Sequence, residues 1–229
     1  MTYFISDIHG EYDLFMRLME KIKFSHSDKL IVLGDIIDKG AHSLRLAKAL
    51  FSAPNVYCIL GNHEYDFLRY YRVLMKEATT DFDAVLQRLK TWFPCEGSLL
   101  DWDILDAFDS LPAYLETDDY ICVHAGVYLD ERKNIMPLKS TPVSNLVYNR
   151  VFKDTTTRVV SEKCVLYGHT PTNYIHGGYQ IIKYPRKIQQ FEGRNIKDYS
   201  RVHLDTGCYI TGVLGCFCLE KCKSFYFKK

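Results

Sequence analysis

No stretch of this 229-residue sequence approaches the ~20 consecutive apolar residues that a helix needs to cross a bilayer. No membrane partner is therefore expected. An excess of one charge is also missing, with 29 basic residues against 28 acidic ones, so no overall field would gather nucleic acid. Eight cysteines are present, but none shows the paired Cys-x-x-Cys spacing of a zinc site. Cys216, Cys218 and Cys222 come nearest, and the first two alternate as residues of an apolar strand do. There is no internal repeat, low-complexity tract or linker, which leaves residues 1–229 as one expected domain with a substantial core. A secretory leader is not expected either, because polar motif residues begin at Ser6. The expected compartment is the cytoplasm, with Cys58, Cys122 and Cys164 acting as reduced small hydrophobes inside strands.

What the chain does have is a repeated local design. Leu30–Leu33 is a short apolar run of the kind that forms a buried strand, and it opens into Gly34-Asp35-Ile36-Ile37-Asp38-Lys39-Gly40. Thr2–Ile5 leads likewise into Ser6-Asp7-Ile8-His9-Gly10, and Val56–Leu60 into Gly61-Asn62-His63-Glu64. Tyr120–Val123 delivers His124-Ala125-Gly126, and Cys164–Tyr167 delivers Gly168-His169-Thr170-Pro171. Apolar residues three and four apart over 11–22 and 42–51 predict helices between the first strands, a β-α-β-α-β start with parallel pairing. Ligands in such sheets gather beyond the carboxyl ends of the strands, so these loops should converge.

Residues 64–110 read as a helical cap with Tyr70, Tyr71, Trp92 and Trp102, broken near Pro94 and Gly97; a separate binding module is the lesser alternative. From Ala113 onward the chain turns β-rich. The basic strip from Lys183 to Arg201 reads as a solvated loop or hairpin, with a phosphate-guiding lid as the lesser alternative.

Taken singly, each motif has a plain structural explanation. Asp7, Asp35 and Asp38 could cap helices, His124 and His169 could be buried histidines bonded to backbone, and Asn62 could be a turn residue. Glu64 reads as a charge at a helix start. His26, His42, His176 and His203 carry no motif context and are read as surface or core residues. Five motifs in one order outweigh five coincidences.

That ordered set resembles the calcineurin-like metallophosphoesterases, and within them the phosphoprotein phosphatase branch near the bacterial and bacteriophage lambda-type serine/threonine phosphatases. The likeness extends to Leu204-Asp205-Thr206-Gly207-Cys208. It implies an α/β fold: a β-sandwich of two mixed sheets flanked by helices, with a helical insertion. It also implies two divalent ions, with manganese first and iron or zinc as alternatives. Asp7, His9 and Asp35 would hold one ion; Asp35, Asn62, His124 and His169 the other. His63 would be the general acid, oriented by Asp38. Lys39, Arg150 and Asn62 would face the phosphate. The family normally has arginine at the place of Lys39, and Tyr148 stands where the bacterial and phage enzymes often have tryptophan. The implied substrate is a phosphorylated protein, with symmetrical diadenosine tetraphosphate hydrolysis as the enzyme alternative and a weakly active phosphatase-like binding protein behind both. Oligomeric state is left open.

Overall fold

A computed structural model describes residues 1–77, 102–186 and 195–229. The centre of the expected cap, with Trp92, Pro94 and Gly97, and the middle of the basic strip lie outside the described residues.

Strand β1 (Thr2–Ile5) is followed by helix α1 (Tyr12–Ile22), β2 (Lys29–Val32), α2 (Ser43–Phe51), β3 (Val56–Cys58) and α3 (Asn62–Glu77). Next among the described residues come α4 (Trp102–Asp109), β4 (Tyr114–Glu116), β5 (Tyr120–Val123) and α5 (Val143–Tyr148). The chain continues through β6 (Cys164–Tyr167), α6 (Thr172–His176), β7 (Ile182–Pro185) and β8 (Tyr199–His203), then α7 (Cys208–Thr211), β9 (Val213–Cys218) and β10 (Lys223–Lys228). Among the described residues these strands form two five-stranded sheets, ordered β10-β9-β1-β2-β3 and β4-β5-β6-β8-β7. Both are mixed: β1, β2 and β3 run parallel, as do β5, β6 and β8, while the remaining neighbours are antiparallel.

Strand alternation explains the layering. On β1, Phe4 joins Ile31, Leu33, Cys122, Leu166 and Val202 in a core between the two sheets. Its neighbours Tyr3 and Ile5 point the other way, against Leu14 and Leu18 of α1 and Leu46 and Leu50 of α2. On β6, Val165 and Tyr167 face outward beneath Leu138, Leu146 and Phe152. Helices therefore flank a double sheet, as the sequence predicts. No helix among the described residues is long and apolar enough to cross a membrane.

One part of the basic strip is corrected. β7 and β8 pair antiparallel, as the two arms of a hairpin would. Arg201 is not solvated, however, and is only 2% exposed. Its guanidinium donates to the Thr155 carbonyl at 2.6 Å and to the Thr157 carbonyl, and lies 4.0 Å from the Tyr184 ring centre. The fork of arginine suits such paired carbonyls, and the aromatic face supports the charge.

Candidate active site

The loops after β1, β2, β3, β5 and β6 meet at one end of the double sheet. Contact between the second and third is close enough to require glycine on both sides. A Cβ at Gly34 would collide with Gly61, and one at Gly61 would collide with Asp35. Among the described residues, nine non-glycine residues have positive φ, and six of them are motif residues: Asp7, His9, Asp35, Asp38, Lys39 and His169. Left-handed backbone costs roughly 1 kcal/mol or more per residue, so such clustering needs a compensating role.

Asp35 lies at the centre, 2% exposed. Its Oδ1 is 3.3 Å from His124 Nε2, and its Oδ2 is 3.5 Å from His9 Nε2 and 3.8 Å from His63 Nε2. Two groups of potential metal donors share it: His9, Asp35 and His63, and Asp35, His124 and His169, each with donor atoms within 4.8 Å of one another. Asn62 joins the second group, its Oδ1 3.0 Å from His124 Nε2 and 2.8 Å from His169 Nδ1. Asp7 lies at the edge of the first and outside the set that closes around Asp35, with Oδ1 4.0 Å from His9 Nε2. Its other oxygen is occupied by the Ser6 hydroxyl and the His169 backbone N–H.

The histidines are oriented by backbone. His9 Nδ1 donates to the Ile37 carbonyl at 2.9 Å, and His124 Nδ1 to the Leu33 carbonyl at 2.7 Å. That fixes each ring and directs Nε2 inward, the arrangement that supports metal ligation. Donor chemistry and orientation thus fit two divalent ions.

Electrostatics agree. Burial works against a charged His124, yet the Asp35 charge and hydrogen bond overcome it and raise the ring to about 10. The same field attracts any cation placed there. Burial lowers His9 to about 3, helped by Lys39, and lowers His169 to about 3, helped by His124. Burial also lifts Asp7 to about 6.

His63 Nδ1 is 2.6 Å from Asp38 Oδ2. Burial opposes its charge, but the bond to Asp38 and the Asp35 charge prevail and raise its pKa. Arg150 donates to Thr170 Oγ1 at 3.0 Å, beside His169. Lys39 Nζ lies 2.8 Å from His9 Nε2. The Tyr148 ring sits edge-on to His169 with centroids 6.4 Å apart. Every predicted site residue is therefore in this one cluster.

Sequence reasoning missed Glu64. It lies in the first turn of α3 as expected of a helix-start charge, but it is wholly buried. Its carboxylate accepts the backbone N–H groups of Asp35 (2.9 Å), Ile36 (2.8 Å), Ile37 (3.1 Å) and Gly61 (3.1 Å). Burial pushes the group up to about 7, while these N–H groups favour the anion. Cys208 was also missed; its thiol donates to the Asp7 carbonyl at 3.1 Å.

The family model for calcineurin-like phosphoesterase matches residues 2–203. The chain belongs to that family. A Geobacillus sp. (strain WCH70) relative, bis(5'-nucleosyl)-tetraphosphatase PrpE (asymmetrical), is 25% identical over 93% of this chain and 88% of its own length. The symmetrical bis(5'-nucleosyl)-tetraphosphatase of Buchnera aphidicola subsp. Acyrthosiphon pisum (strain 5A) is 35% identical over 43% of this chain. The match covers 39% of that relative, so less than half of it is spanned. Among solved structures, a provisionally named diadenosine tetraphosphatase superposes with TM-score 0.69 at 16% identity, covering 99% of this chain and 92% of its own. A Saccharomyces cerevisiae protein serine/threonine phosphatase reaches 0.54 at 15% identity, covering 100% and 79%. At such identities these structures establish the fold of this phosphoesterase, not its substrate.

Proposed function

We propose that the chain is a dinuclear metal-dependent phosphoesterase that cleaves dinucleoside tetraphosphates, with phosphoprotein dephosphorylation, which the motifs alone favour, as the second reading. One observation carries the chemistry: Asp35 presents a separate oxygen to each of two donor groups. Asp7, His9 and Asp35 would hold one ion, and Asp35, Asn62, His124 and His169 the other. The mixed oxygen and nitrogen set suits manganese, with iron or zinc as alternatives. When bound, such ions activate a water and polarise the phosphoryl group.

The chain's own residues do the rest. Asp38 holds His63 by its Nδ1, which favours the protonated ring and leaves Nε2 to donate to the departing oxygen. Arg150 can fork across two phosphate oxygens, Lys39 supplies a point charge to one, and the Asn62 amide faces the same space. The substrate assignment rests on the tetraphosphatase relative that spans most of the chain.

The test is a side-by-side assay of the manganese-loaded chain on diadenosine tetraphosphate and a panel of phosphopeptides. We expect kcat/KM to favour the dinucleotide by ~100-fold, about 2.7 kcal/mol of differential transition-state binding. The reverse ratio assigns the enzyme to phosphoproteins. Full activity after exhaustive chelation would sink the dinuclear reading for both.

A further inference from the structure

Lys39 occupies a position that binding phosphate does not by itself require. Its Nζ, 2.8 Å from His9 Nε2, sits on the nitrogen that faces Asp35 Oδ2 at 3.5 Å. His9 Nδ1 is already committed to the Ile37 carbonyl at 2.9 Å. Nε2 is therefore the one lone pair the ring can offer a cation, and Lys39 holds it. The backbone imposes this placement. Gly40 N donates to the His9 carbonyl at 2.8 Å, and a Cβ at Gly40 would collide with that oxygen. Asp38 and Lys39 are both left-handed, with φ of 68° and 66°. Residues 38–40 thus lie directly on the loop after β1, with Lys39 carried across His9.

We infer that Lys39 competes with the first metal ion for His9 Nε2, and that a substrate phosphate releases this nitrogen by drawing the ammonium to its own oxygens. The inference rests on the dinuclear reading and adds an order of assembly to it. The ion at Asn62, His124 and His169 binds first. The ion at Asp7 and His9 binds tightly only with phosphate. One lone pair cannot serve ammonium and metal together, and a positive charge at contact distance also repels a divalent ion. Phosphate and the first ion must then favour one another's binding, since coupling between sites is reciprocal.

The experiment is a Mn²⁺ titration of the chelator-stripped full chain, with and without inorganic phosphate, for wild type and Lys39→Met. Bound ions are counted by electron paramagnetic resonance. We expect wild type to bind one ion tightly and a second ~10-fold or more weakly, the scale of one charge-assisted hydrogen bond. Phosphate should narrow that gap. In Lys39→Met the weaker ion should bind ~10-fold tighter without phosphate, and phosphate should add little. The ¹⁵N resonance of His9 Nε2 in the stripped protein should shift toward its unbonded value in the variant, which reports the contact itself. Two ions bound with the same affinities in both proteins overturn the competition alone. A single ion bound by both proteins overturns the dinuclear reading and the competition with it.

Discussion

His63 is placed to act on the leaving group, and leaving groups differ in how much help they need. The alkoxide leaving from phosphoserine is a strong base, whereas a nucleoside polyphosphate leaves as a weak one. His63→Asn should therefore slow phosphopeptide hydrolysis by ~10²–10⁴ and slow nitrophenyl phosphate or a dinucleotide far less. Equal losses on all three would mark His63 as structural. Asp38 sets the pH range of the same proton. Because it raises the His63 pKa, the acid form persists to higher pH, and activity should fall only as pH rises through that raised value. Asp38→Asn should move this basic limb to lower pH, measured as kcat/KM against pH on the phosphopeptide.

At the scale of elements, the start of α3 and the loop after β2 behave as one unit because Glu64 joins them. Its two oxygens take four backbone N–H groups that have no other described partner, and none can reach water. Glu64→Ala should cost on the order of 3–5 kcal/mol in urea unfolding, since each stranded buried donor carries a penalty of its own. A loss below about 1 kcal/mol, typical of surface changes, would contradict the role. This case also shows where sequence reading stops. The apolar runs gave the positions of β1, β5 and β6 from Thr2, Tyr120 and Cys164 onward, because burial on both faces leaves a continuous local pattern. The ligand cluster was legible for the same reason: parallel strands deliver their following loops to one end. Glu64 reads only as a helix-start charge because its partners at Asp35, Ile36 and Ile37 lie 27–29 residues earlier in the chain. Arg201 looked solvated because the carbonyls that hold it are 44 and 46 residues away. No local period encodes such pairings.

For the molecule as a whole, acid stability should depend on His203. The ring is fully buried and stacked on Tyr167 with centroids 4.6 Å apart, with the Thr170 backbone as its polar neighbour. Burial lowers it to about 3. Below its ordinary value of about 6.5 the unfolded chain takes up a proton that the folded chain refuses. Stability from this residue is thus complete above pH 6.5 and is lost as pH falls toward 3, at about 1.4 kcal/mol per pH unit. His203→Phe keeps a ring for the stack and removes the proton. Between pH 7 and pH 5 it should lose about 2 kcal/mol less than wild type in urea unfolding. Equal losses would show that His203 is charged in the fold. The sheet order has a consequence of another kind, in the sequence of synthesis. β1 carries the first motif, yet one of its two neighbours is β9, which supplies Cys218 opposite Tyr3 and Phe217 opposite Phe4. A growing chain can pair β1 with β2 early, but the other edge stays open until residues beyond 213 have left the ribosome. Exposed strand edges invite pairing with other chains, and closing so long a loop is slow. Of the five site loops, the one bearing Asp7 and His9 emerges before the others and is among the last to be fixed.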